Sequence, residues 1–149
     1  MVMLPHSLRG LRRLFGTLDT MSVESLEGGW ERRYVGPLLA RDVTPLAYRL
    51  TGVDGWWGCR FDAEGIGTTL HGSRSEPEER HPLRVRAHDS DLDRRASVII
   101  ELPITAGPLW RRVTEEPRRL DEKRALVMAV LELPIVGAQG WPFLYERVS

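Results

Sequence analysis

Two similar stretches in the C-terminal third constrain the fold more than any other feature of this sequence. Val98–Ile104 reads VIIELPI and Ala129–Ile135 reads AVLELPI, and related stretches flank each copy in the same order. As strands, both would carry aliphatic side chains on one face and a glutamate on the other, because successive side chains alternate. The pattern predicts a repeated β-hairpin, with one copy at 92–113 and the other at 120–148.

The segment between the two copies carries the signals of a helix. Thr114 can cap the N-terminus of TEEPRRLDEKRA, two glutamates follow in the first turn, and Lys123 and Arg124 suit the negative C-terminal end. The end of this helix stays open, because residues 125–131 are compatible with a helix or with a buried strand. One uninterrupted helix here would remove the second copy of the hairpin.

The middle of the chain has the pattern of short strands separated by turns. Residues 72–82 (GSRSEPEERHP) are polar and contain proline, which predicts a surface loop. The Asp-Gly pair within 53–55 is a strong hairpin-turn signal. The candidate strands are Trp30–Leu39, Pro45–Thr51, Trp56–Asp62, Ile66–His71 and Leu83–His88.

Residues 1–20 have the pattern of a basic amphipathic helix. Its arginines interrupt the apolar run that a secretory signal would need. We expect this helix to pack on the protein's own sheet, and the alternatives are a membrane surface or a partner. If Met21 is the true start, the segment is instead a dispensable extension. The residues that share the apolar face are Leu4, Leu8, Leu11, Leu14, Phe15 and Leu18.

These patterns together predict the α+β class. We expect a mainly antiparallel sheet, built as a meander of hairpins and packed by the N-terminal helix and by a second helix in the C-terminal third. A chain of 149 residues has the usual size of one domain and can bury a core without a disulfide or a metal ion. Residues 21–149 are therefore expected to form a single domain that follows the helical segment.

The composition of the chain indicates which partners and which cellular compartment to expect. The formal net charge is zero, whereas a protein that neutralises phosphates usually has a basic excess, so no nucleic-acid partner is expected. Cys59 is the only cysteine, which excludes an intramolecular disulfide and favours a reducing, cytoplasmic location. No apolar run approaches the length of a membrane span. Lys123 is the only lysine among the basic residues, a bias typical of GC-rich bacterial coding.

No motif fixes a catalytic mechanism or a cofactor. The nucleophile-elbow, P-loop, dinucleotide and zinc-protease fingerprints are absent from the sequence. His88–Asp93 (HDSDLD) resembles the start of a calcium loop, but Arg94 and Ile100 occupy the positions that need glycine and glutamate. We interpret this run as an acidic hairpin turn, and Cys59 as a small buried hydrophobic residue. No cofactor and no metal site are predicted.

Aromatic and charged side chains on the predicted strands are the best candidates for a contact surface. Trp56 and Trp57 are adjacent on one strand, so one ring would enter the core and the other would be exposed or line a cavity. Glu101 and Glu132 recur in the two hairpins, where an ion pair with an arginine of the return strand is the simplest role. The candidate binding residues are Trp56, Trp57, Glu101, Trp110, Arg112, Glu132, Tyr145 and Arg147.

Three functions compete at this point. The first is a non-catalytic interaction or assembly module, with a protein partner or self-association into an oligomer. The second is a small-molecule-binding domain with a pocket between the two hairpins. The third is a small hydrolase that uses His88 or His71 with nearby aspartates, and an enzyme is the less expected outcome because no catalytic motif supports one. The pocket of the second hypothesis would be lined by Trp110, Tyr145, Glu101 and Glu132.

Overall fold

The computed structural model describes the backbone of residues 2–37, 53–102, 108–133 and 137–149, and the side chains of 2–37, 53–102, 110–131 and 140–149. This part of the chain contains one α-helix, nine strands and two short 3-10 turns, Glu24–Leu26 and Pro108–Arg112. The helix is α1 (Leu8–Thr17), and the strands are β1 (Asp19–Thr20), β2 (Gly28–Tyr34), β3 (Trp56–Phe61), β4 (Ile66–Gly72), β5 (Pro77–Asp89), β6 (Ala96–Glu101), β7 (Val113–Arg119), β8 (Arg124–Leu133) and β9 (Gly137–Arg147).

The strands β2 to β9 form a closed antiparallel barrel. Each of them pairs with the next one along the chain, and β9 pairs back with β2, where Trp30 lies opposite Arg147. The two-residue strand β1 covers the end of one edge of β7, with Thr20 opposite Arg118. The prediction of an α+β fold packed by two helices is therefore wrong. The described chain is a closed eight-stranded barrel with one short helix.

The helix predicted in the C-terminal third is instead the hairpin of β7 and β8. β7 pairs with β8 over its whole length, and its inward-facing residues include Glu115 and Pro117. Inward and outward side chains alternate with a period of two, which a strand satisfies and a helix does not. The capping signal at Thr114 is local, whereas sheet pairing on both sides of β7 is a tertiary effect that overrides it. Residues 125–131, left open by the sequence, belong to a strand.

The two copies of the expected hairpin differ in the structure. β8 and β9 form a regular hairpin that extends to Leu133 opposite Gly137. In the other copy, β6 ends at Glu101, and the stretch LWRRV lies mostly in the second 3-10 turn rather than in a return strand. The strand that returns, β7, begins only at Val113. The likeness between the copies therefore does not extend to their second strands.

The shorter strands lie close to their predicted positions, with one extension. β3 and β4 match the prediction almost residue for residue, and β2 ends earlier, at Tyr34. β5 begins at Pro77, inside the segment predicted as a loop, because Pro77 and Glu78 pair with β4. The charged side chains of that segment face solvent while its backbone is in the sheet. The predicted strand Pro45–Thr51 lies outside the described residues.

Alternate side chains of the strands fill the inside of the barrel. Met21 and Leu26, from the segment before β2, pack against the same cluster. Burying a large apolar side chain contributes about 1.5–3 kcal/mol, so this cluster is the main source of stability. Its members are Met21, Leu26, Trp30, Val53, Trp56, Cys59, Phe61, Leu83, Val85, Val98, Ile100, Leu102, Trp110, Ala125, Val127, Phe143 and Tyr145.

Helix α1 packs on the outer face of the barrel. The Ser7 hydroxyl caps the helix by accepting a hydrogen bond from the Gly10 amide at 3.0 Å. Leu11 and Phe15 are buried against outward-facing side chains of β8 and β9, so the apolar face of the helix lies on the protein's own sheet. No helix within the described residues is long and apolar enough to cross a membrane.

A buried arginine joins α1 to the barrel wall. Arg118 on the outer face of β7 donates hydrogen bonds to Asp93 at 2.9 and 3.0 Å and to Glu116 at 2.7 Å. Its guanidinium lies 4.5 Å from the centre of the Phe15 ring. Burial by itself would raise the pKa of Asp93, but the hydrogen bonds to this carboxylate, first among them those from Arg118, lower it overall. The ion pairs hold the Arg118 guanidinium in place on the barrel wall, and its contact with the Phe15 ring links this wall to α1.

Candidate functional site

A charged network lies inside the barrel. Arg32 of β2, Glu115 of β7 and Tyr145 of β9 are all buried, and Arg32 Nη1 donates to the Tyr145 hydroxyl at 2.9 Å. Arg32 also forms an ion pair with Glu115, whose second oxygen accepts a hydrogen bond from Tyr145. Burial, more than any charge nearby, raises the pKa of Tyr145 well above its usual value. The network therefore holds a neutral tyrosine between an arginine and a carboxylate.

Aromatic rings surround the guanidinium of Arg32. Its central carbon lies 4.0 Å from the ring centre of Trp56, 4.5 Å from that of Phe143 and 5.4 Å from that of Tyr145. Such contacts stabilise a desolvated cation by about 2 kcal/mol in favourable cases. Trp56 in turn meets Trp110 edge to face, with ring centres 6.1 Å apart. The aromatic contacts therefore extend from Arg32 through Trp56 to Trp110.

His71 is hydrogen-bonded through both of its ring nitrogens. Nδ1 lies 2.9 Å from the carbonyl oxygen of Asp54, which requires Nδ1 to be the donor, and Nε2 lies 2.8 Å from the Thr69 hydroxyl. Burial lowers the pKa of His71, and Arg80 adds to this effect, although the bond to Asp54 opposes it. A second histidine, His81, contacts the ring at 5.7 Å. Neither nitrogen of His71 is directed at an aspartate carboxylate.

The lowered pKa of His71 predicts a loss of stability in acid. The unfolded state binds a proton on this histidine at a higher pH than the folded state does. The contribution of neutral His71 to the free energy of unfolding is therefore fully present above about pH 6.5, and it is lost as the pH falls through the folded-state pKa. We expect the free energy of unfolding, measured in urea between about pH 7 and pH 5, to fall less steeply in His71→Gln than in the wild type. His88→Gln, near the end of β5, is the control. If the free energy of unfolding falls equally steeply with pH in His71→Gln and in the wild type, His71 is not the group that causes the loss of stability in acid.

Two other groups with possible chemistry are held in structural roles. Cys59 is fully buried, and burial, assisted by the nearby Glu115 carboxylate, raises the pKa of its thiol to about 12. A thiol with that pKa is a poor nucleophile at neutral pH. His88 Nε2, near the end of β5, lies 3.6 Å from Asp91 in the turn that follows the strand. Within the described residues, no three histidine, cysteine, aspartate or glutamate side chains are grouped as metal ligands.

A groove of about 820 Å³ opens on the side of the barrel where β6 ends. Among the described residues, the pairing of β5 with β6 runs from Arg84 opposite Glu101 to Asp89 opposite Ala96, and the groove lies at the Arg84–Glu101 end of this pairing. The floor of the groove is apolar and recessed, because Leu83, Leu102 and Trp110 are only 2%, 6% and 8% exposed. The remaining lining residues, at its sides and rim, are Ile66, Pro82, Arg84, Arg86, Glu101, Arg111, Val113 and Thr114.

The structure brings two of the predicted binding residues together in this groove, Trp110 at the floor and Glu101 at the rim. Glu101 forms an ion pair with Arg86 of β5, not with the arginine predicted from its own hairpin. Trp56 and Trp57 do face opposite ways. Trp56 is in the core, whereas the ring of Trp57 lies on the outside, 4.4 Å from a guanidinium of the next hairpin.

The other predicted residues lie away from the groove. Tyr145 is inside the barrel, and Arg112 is exposed in the second 3-10 turn. Arg147 donates hydrogen bonds of 2.8 Å to the carbonyl oxygens of Glu27 and Ser25 at the opposite end of β9 from the hairpin turn. The side chain of Glu132 lies outside the described residues.

Sequence reasoning missed Arg32 and Glu115 in the network, and Arg84 and Arg111 in the groove. One signal for Arg32 was present: in GGWERRY the alternate residues Trp30, Arg32 and Tyr34 share one face, so an arginine stands between two aromatic residues. Nothing in the sequence pairs Arg32 with Glu115, because they lie on strands that are far apart along the chain.

Comparisons with known proteins identify the fold and no family. No protein-family model matches the chain, and no curated protein matches it. A crystal structure of a protein from Thermomonospora curvata is similar, with a TM-score of 0.68 over 96% of this chain and 88% of that chain. The two sequences are 15% identical. At that identity the likeness shows a shared barrel architecture and carries no activity over to this chain.

Proposed function

We propose that this barrel is a non-catalytic binding protein for a small, largely apolar molecule, which it holds in the groove between β5 and β7. The observation that carries the proposal is the recessed apolar floor, formed by Leu83, Leu102 and Trp110, of a groove with a volume of about 820 Å³. This volume is in the range of pockets that hold small organic ligands, which are lined mainly by apolar side chains with a few polar groups.

The exterior of the barrel favours this function over an assembly module. Stable protein interfaces need an apolar centre of several hundred square ångströms. Exposed side chains instead form ion pairs across the sheet, such as Arg33 of β2 with Glu146 of the neighbouring β9, and Arg60 of β3 with Glu79 of β5. The large hydrophobic residues that are exposed in the described chain are few, and they are divided among the N-terminal segment, β4 and the C-terminal part of the chain in and after β9. They are Val2, Met3, Ile66, Trp141 and Val148.

Filling the groove is expected to weaken binding strongly. Val113→Arg places a long charged side chain beside the apolar floor, so the affinity for the neutral fluorophore N-phenyl-1-naphthylamine should fall by about tenfold or more, since one lost apolar contact of this size is worth about 1.4 kcal/mol. The measurement is a fluorescence titration, with energy transfer from tryptophan to the probe as a second signal.

Val23→Arg is the matched control, because Val23 is also half-buried against the core but does not line the groove. Thermal melting of both variants checks that they fold. The expected result is saturable binding by the wild type and by Val23→Arg with similar affinity, and binding by Val113→Arg that is weaker by about tenfold or more. A wild type that shows no saturable binding, or a Val113→Arg variant that binds as well as the wild type, contradicts the proposal.

A further inference from the structure

The rim of the groove carries two arginines that have no partner within the described residues. Arg84 of β5 and Arg111 of the second 3-10 turn are exposed, and neither forms a hydrogen bond or an ion pair with the described part of the chain. Most other arginines of the barrel wall are paired with carboxylates. Examples are Arg33, Arg60, Arg80, Arg86, Arg118 and Arg124.

The balance of charge around the groove is positive. Of the described residues that line it, Arg84, Arg86 and Arg111 are cationic and Glu101 alone is anionic. Glu101 is already held by Arg86 in an ion pair, and no carboxylate of the described side chains forms an ion pair with Arg84 or Arg111. The whole chain has a formal net charge of zero, so this is a local excess on a neutral protein. A concave apolar surface with an excess of one charge at its edge attracts ligands of the opposite charge.

We infer that the ligand is an amphipathic anion, with a hydrocarbon body on the apolar floor and one anionic headgroup at Arg84 and Arg111. This inference rests on the proposed function of the groove. A guanidinium presents parallel N–H donors that match the two oxygens of a carboxylate, and the same geometry serves a sulfonate or a phosphate monoester. The tail contacts Leu83, Leu102 and Trp110, and the headgroup stays at the solvent-exposed rim.

The geometry favours a single free molecule over a lipid within a bilayer. The floor side chains are almost fully buried at the bottom of the groove, so an acyl chain must leave a membrane to contact them. A peripheral membrane protein instead exposes its apolar residues beyond its charged ones. Here the order is reversed, because the arginines are exposed and the apolar residues are recessed.

The test compares two probes with the same tail, dodecanoate and dodecanol, each displacing N-phenyl-1-naphthylamine from the folded full chain below its micelle concentration. We expect the wild type to bind dodecanoate about tenfold more tightly than dodecanol, the size of effect that one charge-assisted contact produces. In Arg84→Gln/Arg111→Gln the preference should disappear while the affinity for dodecanol stays unchanged. Added salt should reduce the preference in the wild type.

Arg9→Gln/Arg13→Gln is the matched control, since it removes the same charge from the exposed face of α1. It should keep the preference for the anion. Equal binding of both probes by the wild type overturns the inference and leaves the proposed function standing, whereas failure of both probes to bind overturns the proposed function itself. Flotation with phosphatidylglycerol vesicles that depends on Arg84 and Arg111, without binding of free dodecanoate, also overturns the inference, because it assigns the arginines to a membrane surface.

Discussion

Replacing Glu115 with leucine is expected to lower the free energy of unfolding by about 3–5 kcal/mol, the usual effect of leaving one charge of a buried ion pair without its partner. Arg32 is 6% exposed and enclosed by aromatic rings, so water cannot replace the missing carboxylate. The Tyr145 hydroxyl loses its acceptor at the same time. Urea unfolding followed by tryptophan fluorescence measures the change, because Trp30 and Trp56 are in the affected core.

The double variant Arg32→Met/Glu115→Leu separates the cost of an unpaired charge from the cost of altered packing. A buried ion pair replaced by apolar residues of similar size is often neutral in stability or even stabilising. We therefore expect the double variant to recover most of the loss of Glu115→Leu. If the free energy of unfolding of Glu115→Leu lies within about 1 kcal/mol of the wild-type value, the ion pair does not have the energetic role that its burial implies.

Gly58→Ala should destabilise the barrel by about 3 kcal/mol, the upper part of the range for overpacking a filled interior. A methyl group at Gly58 would be placed far inside van der Waals contact with the backbone carbonyl oxygen of Trp30 on the neighbouring strand. Because the obstacle is backbone and not a flexible side chain, β2 and β3 would have to move apart. The sheet is irregular at this point, where the register shifts between Trp56 and Gly58.

Gly16→Ala is the same substitution in open space, and it should have the opposite sign. Nothing lies within 4 Å of the position of a methyl group at Gly16 in α1. Alanine in a helix is favoured over glycine by about 0.5–1 kcal/mol, so the variant should be slightly more stable than the wild type. Chemical denaturation of both variants gives the comparison. A Gly58→Ala protein as stable as Gly16→Ala would show that the two strands have room to adjust.

The strands of the barrel follow from the sequence wherever an alternating pattern is bounded by turns. β3 and β4 were predicted almost completely on that basis. The segment TEEPRRLDEKRA was wrongly predicted to be a helix. Its capping residue, its acidic first turn and its basic end are local signals, and they carry no information about the pairing of this segment with β6, β8 and β1. The closure of the sheet into a barrel also could not be predicted from any one segment of the sequence. Whether β2 meets β9 depends on strand number, tilt and stagger together, and no single segment carries that information.

The candidate site was predictable only in part, for a related reason. Trp110 and Glu101 were identified as aromatic and charged residues of the first hairpin, and both line the groove. Arg84 and Arg111 could not be assigned, because a groove rim is formed by residues that are distant in sequence. An unpaired arginine also looks the same in a sequence as a paired one. Only the positions of the carboxylates distinguish the two.

The pairing of β2 with β9 has a kinetic consequence. These partners are separated by most of the chain, and a contact between distant segments forms slowly because the intervening polypeptide must first become ordered. Until it forms, the sheet has two free edges that are able to join with those of another molecule. The pairing of β2 with β9 is therefore expected to limit the rate of refolding. At high protein concentration, we expect part of the protein to aggregate through these free edges before the barrel closes.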